Sequence, residues 1–132
     1  MTAGGTLILD SEGLSKVVLR NPKLTAWLVA AEEEDARVVT SAATLVEARD
    51  PHVNQAKFDW AVSRIHVEPV TEEIARQASK LLAAAKLHGH KYAIDAILSA
   101  LALSSPAPVT VLTSDPDDIT TLCGNRVRTI KV

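Results

Sequence analysis

Residues 6–10 of the chain have the sequence TLILD. A short run of apolar and β-branched residues is typical of a buried strand, and the acidic Asp10 closes this one. The sequences ARVVTS at residues 36–41 and VTVLTS at residues 109–114 are also rich in β-branched residues. Three buried strands, spread along the chain, therefore define the centre of the predicted fold.

Segments with helical hydrophobic spacing lie between these strands, and Gly89 is expected to end the longest of them. Strands that alternate with helices indicate an α/β fold with a mostly parallel sheet and helices on both faces. HVEPV at residues 66–70 and the final RVRTIKV add two strands, the first at an edge because Pro69 cannot donate a ladder hydrogen bond. The predicted helices cover residues 12–20, 24–34, 44–49, 53–64, 71–88, 92–104 and 117–122.

Composition excludes several classes of protein. The length of 132 residues predicts a single domain, residues 1–132. Aromatic residues make up 3% and the formal net charge is −2, which argues against a nucleic-acid binder built on stacked aromatics or bulk positive charge. The single cysteine, Cys123, excludes an intramolecular disulfide. Because no apolar run could cross a membrane and the first residues do not form a signal peptide, we expect a soluble cytoplasmic domain.

Four acidic residues converge on one end of the predicted sheet. Asp10 and Asp115 follow two of the strands, at the edge where ligands bind in open α/β sheets. Glu47 and Asp95 lie within the apolar sequences AATLVEA and YAIDAILSALAL, where an unpaired ionised carboxylate is costly. Each acid alone has an ordinary explanation as a cap, turn or surface residue. Since no Arg or Lys accompanies the four in the apolar segments, the expected compensation is Mg²⁺ or Mn²⁺.

The order of these motifs resembles that of the PIN-domain ribonucleases, in particular the VapC-type toxins of bacterial toxin–antitoxin pairs. The resemblance runs from LILDSEGL through SAATLVEA and HKYAIDAILSALAL to VLTSDPDDI. In that family an Asp followed by Ser or Thr ends the first strand, and a Glu lies in the helix after the second. An Asp opens a helix rich in small residues, and a fourth acid follows a T-x-D pattern. The corresponding positions here are Asp10 with Ser11, Glu47, Asp95, and Thr113, Ser114 and Asp115.

The resemblance implies a PIN-like domain that hydrolyses RNA phosphodiester bonds with Mg²⁺ or Mn²⁺. Asp10 and Asp95 are the expected direct ligands. Glu47 and Asp115 are expected to bind the metal through water or to orient the nucleophile. Because crowded carboxylates repel one another, Asp10→Asn or Asp95→Asn is expected to leave the fold intact or more stable.

Three further residues belong to this prediction. Within SDPDD, Asp115 is preferred over Asp118 as the fourth acid because it lies nearer the strand end, and Asp118 is interpreted as an acid of the first helical turn. Ser11 and Ser114 are expected to hydrogen-bond a carboxylate or the scissile phosphate.

The resemblance also implies protein partners: a homodimer, and an antitoxin whose C-terminal segment covers the acidic pocket with a basic side chain. Residues 12–20 and 24–34 carry more apolar side chains than one core face needs. Part of that surface is therefore expected to form a groove for an amphipathic partner helix, while Leu14 and Val18 pack against the sheet.

Two other function classes stay open at this point. A PIN fold without activity could act as a binding module. A receiver-like signalling domain also gathers acids around Mg²⁺, but it needs paired acids after the first strand and a later Lys that this sequence does not supply. A haloacid-dehalogenase-type phosphatase would have D-x-D after the first strand, where Glu12 stands instead.

Overall fold

The five strands of the chain pair in parallel throughout. They are β1 (Thr6–Leu9), β2 (Arg37–Ser41), β3 (His66–Glu68), β4 (Val109–Thr113) and β5 (Arg128–Lys131). The structure is a computed structural model that describes residues 4–132. The strand order in the sheet is β3-β2-β1-β4-β5, and every pairing is parallel. The predicted α/β class is confirmed, with β3 at an edge as expected.

Seven α-helices connect the strands in the part of the chain that the structure describes. None of them is long and apolar enough to span a membrane. They are α1 (Ser11–Val18), α2 (Pro22–Glu33), α3 (Ala42–Ala48), α4 (Gln55–Ser63), α5 (Glu72–Ala85), α6 (Gly89–Ser104) and α7 (Pro116–Cys123), and a 3₁₀ turn, Gly124–Arg126, precedes β5.

The junction between α5 and α6 differs from the prediction. Gly89 does not end α5 but begins α6. Helix α5 ends at Ala85, and the capping residue Lys86 adopts the left-handed conformation with φ 57° and ψ 41°. The helix that was predicted from residue 92 therefore starts three residues earlier. Its backbone departs from helical geometry at Tyr92. The sequence GHKY has no apolar stripe that would indicate a helix, which is why its first turn escaped the pattern.

Alternating side chains of the central strand separate two cores. Leu7 and Leu9 of β1 pack with α1, α2 and α4, whereas Ile8 packs with α6 and α7 on the other face. Leu14 and Val18 of α1 are buried in the first of these cores, as predicted. Helices therefore cover both faces, and only the strand ends are left to form a site.

The strand order reverses between β1 and β4. The chain builds outward from β1 through β2 to β3, then returns to place β4 and β5 on the other side of β1. In open α/β sheets the connections diverge at such a point and leave a crevice beyond the carboxyl ends of the strands. Asp10 follows β1 and Ser114 follows β4, so both lie at this crevice.

Candidate active site

Asp10 is fixed at the crevice by backbone hydrogen bonds. Its Oδ1 accepts from the N–H of Gly13 (2.8 Å), which caps α1, and its Oδ2 accepts from the N–H of Ser114 (2.9 Å). The residue is only 7% exposed. Each carboxylate oxygen has a second acceptor site, so these bonds leave Asp10 able to contact a cation.

Asp95 is the residue on which the acids of the site converge. It lies in α6 and is partly buried. Burial, and after it the negative charges of nearby acids, together raise the pKa of its carboxyl to about 6. In decreasing order of effect, these acids are Asp118, Glu47, Asp10 and Asp115. Each charged group that acts on Asp95 in residues 4–132 is an acid. The fold therefore gathers carboxylates from several elements around Asp95, and none of the ion pairs within residues 4–132 includes Asp95.

The sequence favours Asp115 over Asp118 as the fourth acid, but in the structure Asp118 acts more strongly on Asp95. Asp118 in the first turn of α7 affects Asp95 more than any other charge does, and Asp115 affects it least of the four. Asp118 is partly buried, whereas Asp115 is exposed and makes no capping hydrogen bond to α7. A signal for this was present in the sequence: Asp118 precedes the buried Leu122 by four residues and so shares the inward face of α7.

The remaining predicted residues also lie at this end of the sheet. Glu47 is on α3 with an exposed side chain, and Ser11 is the first residue of α1. Ser114 contacts Asp10 through its backbone N–H. The neighbouring Thr113 holds the turn, because its buried hydroxyl accepts a hydrogen bond from the N–H of Asp115 (2.9 Å).

The donors at this site suit a hard divalent cation by their chemistry. They are carboxylate oxygens, which Mg²⁺ and Mn²⁺ prefer, and a cation would offset the repulsion that raises the pKa of Asp95. Across residues 4–132, no three His, Cys, Asp or Glu side chains stand close enough together to hold an ion without moving. Binding would therefore require side-chain rotations, most readily of the exposed Glu47 and Asp115.

A separate groove lies at the opposite end of the sheet. It runs between α2 and α4, beside the first residues of β2 and β3, and has a volume of about 610 Å³. Val29 and Trp60 in this groove are 50% and 40% exposed. The guanidinium carbons of Arg20 and Arg64 lie 4.5 Å and 5.7 Å from the centre of the Trp60 ring. We call this surface the α2–α4 groove; its further lining includes Val17, Leu28, Val38, Ile65, Glu32, Asp35, Arg37 and His66.

Comparison with known proteins supports the fold. No protein-family model and no curated protein matches the sequence. The structure is similar to a chain in the crystal structure of VapBC2 from Rickettsia felis bound to a DNA fragment from their promoter. The TM-score is 0.72, and the match covers 96% of this chain and 98% of that one. The two chains share a fold. Their sequences are 14% identical, so the likeness confirms the expected PIN-like architecture and extends no further.

We predict that Asp95→Asn stabilises the protein in metal-free buffer at pH 7. The raised pKa means that ionising Asp95 costs more in the folded state than in the unfolded state, so stability falls as the pH rises through about 6. The neutral amide removes that cost, and we expect the free energy of unfolding to increase by about 1–2 kcal/mol. Urea denaturation at pH 7 and pH 4 measures it, and the gain should vanish at pH 4. A gain that is equal at both pH values would contradict the electrostatic origin.

Asp10→Asn should have the opposite effect, in contrast to the expectation from repulsion alone. Both oxygens of Asp10 accept backbone N–H groups, and an amide would direct its own NH₂ at one of these donors. We expect a loss of about 1–3 kcal/mol in the same denaturation experiment. Asp117→Asn on α7 is the matched control, because Asp117 is exposed and does not act on Asp95. Equal stability of the Asp10 and Asp117 variants would show that the two bonds contribute little.

Proposed function

We propose that this protein is a metal-dependent endoribonuclease. The observation that carries the proposal is the convergence of five carboxylates on the crevice between β1 and β4, where Asp95 takes part in no ion pair within residues 4–132. The shared fold with the VapBC2 structure supports it. We further propose a cytoplasmic location, where a ribonuclease would meet cellular RNA.

The residues divide into two groups by exposure. Asp10 and Asp95 are at least partly buried and would hold the cation, with Asp10 kept in place by the N–H groups of Gly13 and Ser114. Glu47 and Asp115 are exposed and would orient or deprotonate the attacking water. Bound Mg²⁺ or Mn²⁺ would supply an acidified water and charge stabilisation for the phosphodiester.

The proposal predicts RNA cleavage that depends on Mg²⁺ or Mn²⁺ and stops with EDTA. Asp95→Asn should lower kcat on the order of 10²-fold or more, since it removes charge that stabilises the reacting centre. Asp118→Asn should reduce the rate more than Asp115→Asn, because Asp118 acts more strongly on Asp95. The measurement is cleavage of a labelled single-stranded RNA by matched preparations.

Asp117→Asn, which changes the same net charge on α7, should cleave at the wild-type rate. Wild-type protein that binds RNA but never cleaves it with either metal would favour the silent binding module. Activity that survives in Asp95→Asn would remove that residue from the site.

We also propose that the protein is the toxin of a toxin–antitoxin pair and that it forms a homodimer. The similar structure is that of VapBC2 bound to a DNA fragment, which supports an antitoxin partner here. The α2–α4 groove suits a segment of that antitoxin with apolar anchors and an acidic residue. Its exposed apolar residues include Val29 and Trp60, and the guanidinium groups of Arg20 and Arg64 flank the Trp60 ring.

Trp60→Ala should weaken binding of the antitoxin encoded beside this chain by about 10-fold or more, since exposed Trp residues flanked by Arg are common interface hot spots. RNA cleavage by the free variant should be unchanged, because Trp60 lies at the other end of the sheet from the acids. Co-purification, titration calorimetry and light scattering of the free protein measure the affinity and the oligomeric state. Val70→Ala, which alters an exposed apolar residue outside the groove, is the control. Equal affinities of the two variants would place the antitoxin elsewhere.

A further inference from the structure

Residues 86–91, with the sequence KLHGHK, concentrate positive charge and imidazole groups at the turn between α5 and α6. We call this segment the basic lip. Lys86, His88, His90 and Lys91 are all exposed. The ion pairs within residues 4–132 join Lys16 to Glu12, Arg37 to Glu68 and Arg76 to Glu72, so neither lysine of the lip is neutralised by a carboxylate.

The lip lies on the outer side of the acidic site. Helix α6 ends at Ser104, shortly before β4 begins at Val109, so it runs from the carboxyl edge of the sheet toward the amino edge. Asp95 lies near the carboxyl edge, where the charge of Asp10 acts on it. Lys91 precedes Asp95 by four residues, which corresponds to about 6 Å along a helix. The lip therefore projects beyond the carboxylates, at the entrance to the crevice.

The positive charges of the lip are not paired with the acids of the site. No ion pair within residues 4–132 joins Lys86 or Lys91 to an acid of the site, so the lip does not neutralise the cluster. A polyanion that approaches the acidic crevice is repelled by the carboxylates and needs cations beside them. The lip supplies such cations where phosphates next to the reacting one would pass.

The backbone at Lys86 allows two explanations for its lysine side chain, one structural and one in substrate binding. Lys86 is left-handed, a conformation for which glycine is preferred at helix ends. A lysine here also suits the negative end of the α5 dipole, which is a purely structural explanation. The two explanations differ in outcome, because glycine would relieve the backbone while removing the charge.

We propose that the basic lip binds the phosphates of a single-stranded RNA on either side of the cleaved bond. This rests on the proposed ribonuclease function and adds the residues that bind the substrate. Lys86 and Lys91 make the phosphate contacts, and His88 and His90 add N–H donors.

Binding of a fluorescent single-stranded RNA to the full chain, followed by anisotropy in EDTA between about 50 and 200 mM salt, tests this directly. For Lys86→Gln with Lys91→Gln we expect about 10-fold weaker binding. The slope of log K against log salt should fall by about 1.4, since each phosphate contact contributes about 0.7 for single strands. Under cleavage conditions KM should rise while kcat is retained. Lys57→Gln with Lys80→Gln, on exposed positions of α4 and α5, removes the same charge and should leave the slope unchanged.

Two single variants separate binding from structure. Lys86→Gly should raise the melting temperature and still lower the slope by about 0.7. If Lys86 only caps α5, this variant would raise the melting temperature and leave the slope unchanged. Lys91→Arg, which keeps the positive charge, should retain the wild-type slope. The inference is overturned if wild type binds RNA and the lip variants keep the wild-type slope and KM. It is also overturned if the lip double variant and the Lys57/Lys80 double variant lose the same RNA affinity, or if the lip variants lose affinity only for the antitoxin. If wild type binds RNA through the lip but does not cleave it, the inference stands and the proposed hydrolysis fails.

Discussion

One buried carboxylate ties the site to the fold. Asp10 caps α1 through the N–H of Gly13 and accepts the N–H of Ser114 beyond β4, so a single side chain joins the two central strand ends to the start of a helix. Its backbone N–H donates to the carbonyl of Leu112. A Cβ at Gly13 would lie 3.3 Å from that same oxygen, so a small residue there lets α1 begin this close to β4. The position of the first acid and the register of β1 against β4 are therefore set together.

The parallel topology makes such a site both available and costly. Parallel pairing brings the carboxyl ends of β1 and β4 to one edge, together with the starts of α1 and α3 and the first turn of α7. Acids in these positions repel one another, and this repulsion, together with burial, raises the pKa of Asp95. Apolar packing on both faces, from Leu9 on one side and Ile8 on the other, offsets the cost without placing a cation in the crevice.

The sequence predicted most of this because strands and acids are local signals. TLILD is enough to place a buried strand with Asp10 at its end, and Asp95 stands out inside an apolar helix. The α5–α6 junction depended on Lys86 taking a left-handed backbone, which residue type alone does not indicate. Asp118 acts more strongly on Asp95 than Asp115 does, which proximity to the strand end did not indicate; its four-residue spacing from the buried Leu122 was the signal that pointed inward.

The two ends of the sheet offer different chemistry, which constrains any protein that engages both. The α2–α4 groove borders the amino ends of β2 and β3, whereas the acids cluster at the carboxyl ends. A strand of five residues, such as β2, spans about 16 Å. A helix seated in the groove would need about eleven further residues to cover that distance, because a helix rises about 1.5 Å per residue. An extended segment would cover it in about five residues, because an extended chain advances about 3.3 Å per residue. Binding in the groove would then raise the local concentration of the segment that blocks the site, so apolar anchoring at one end of the sheet strengthens charge pairing at the other.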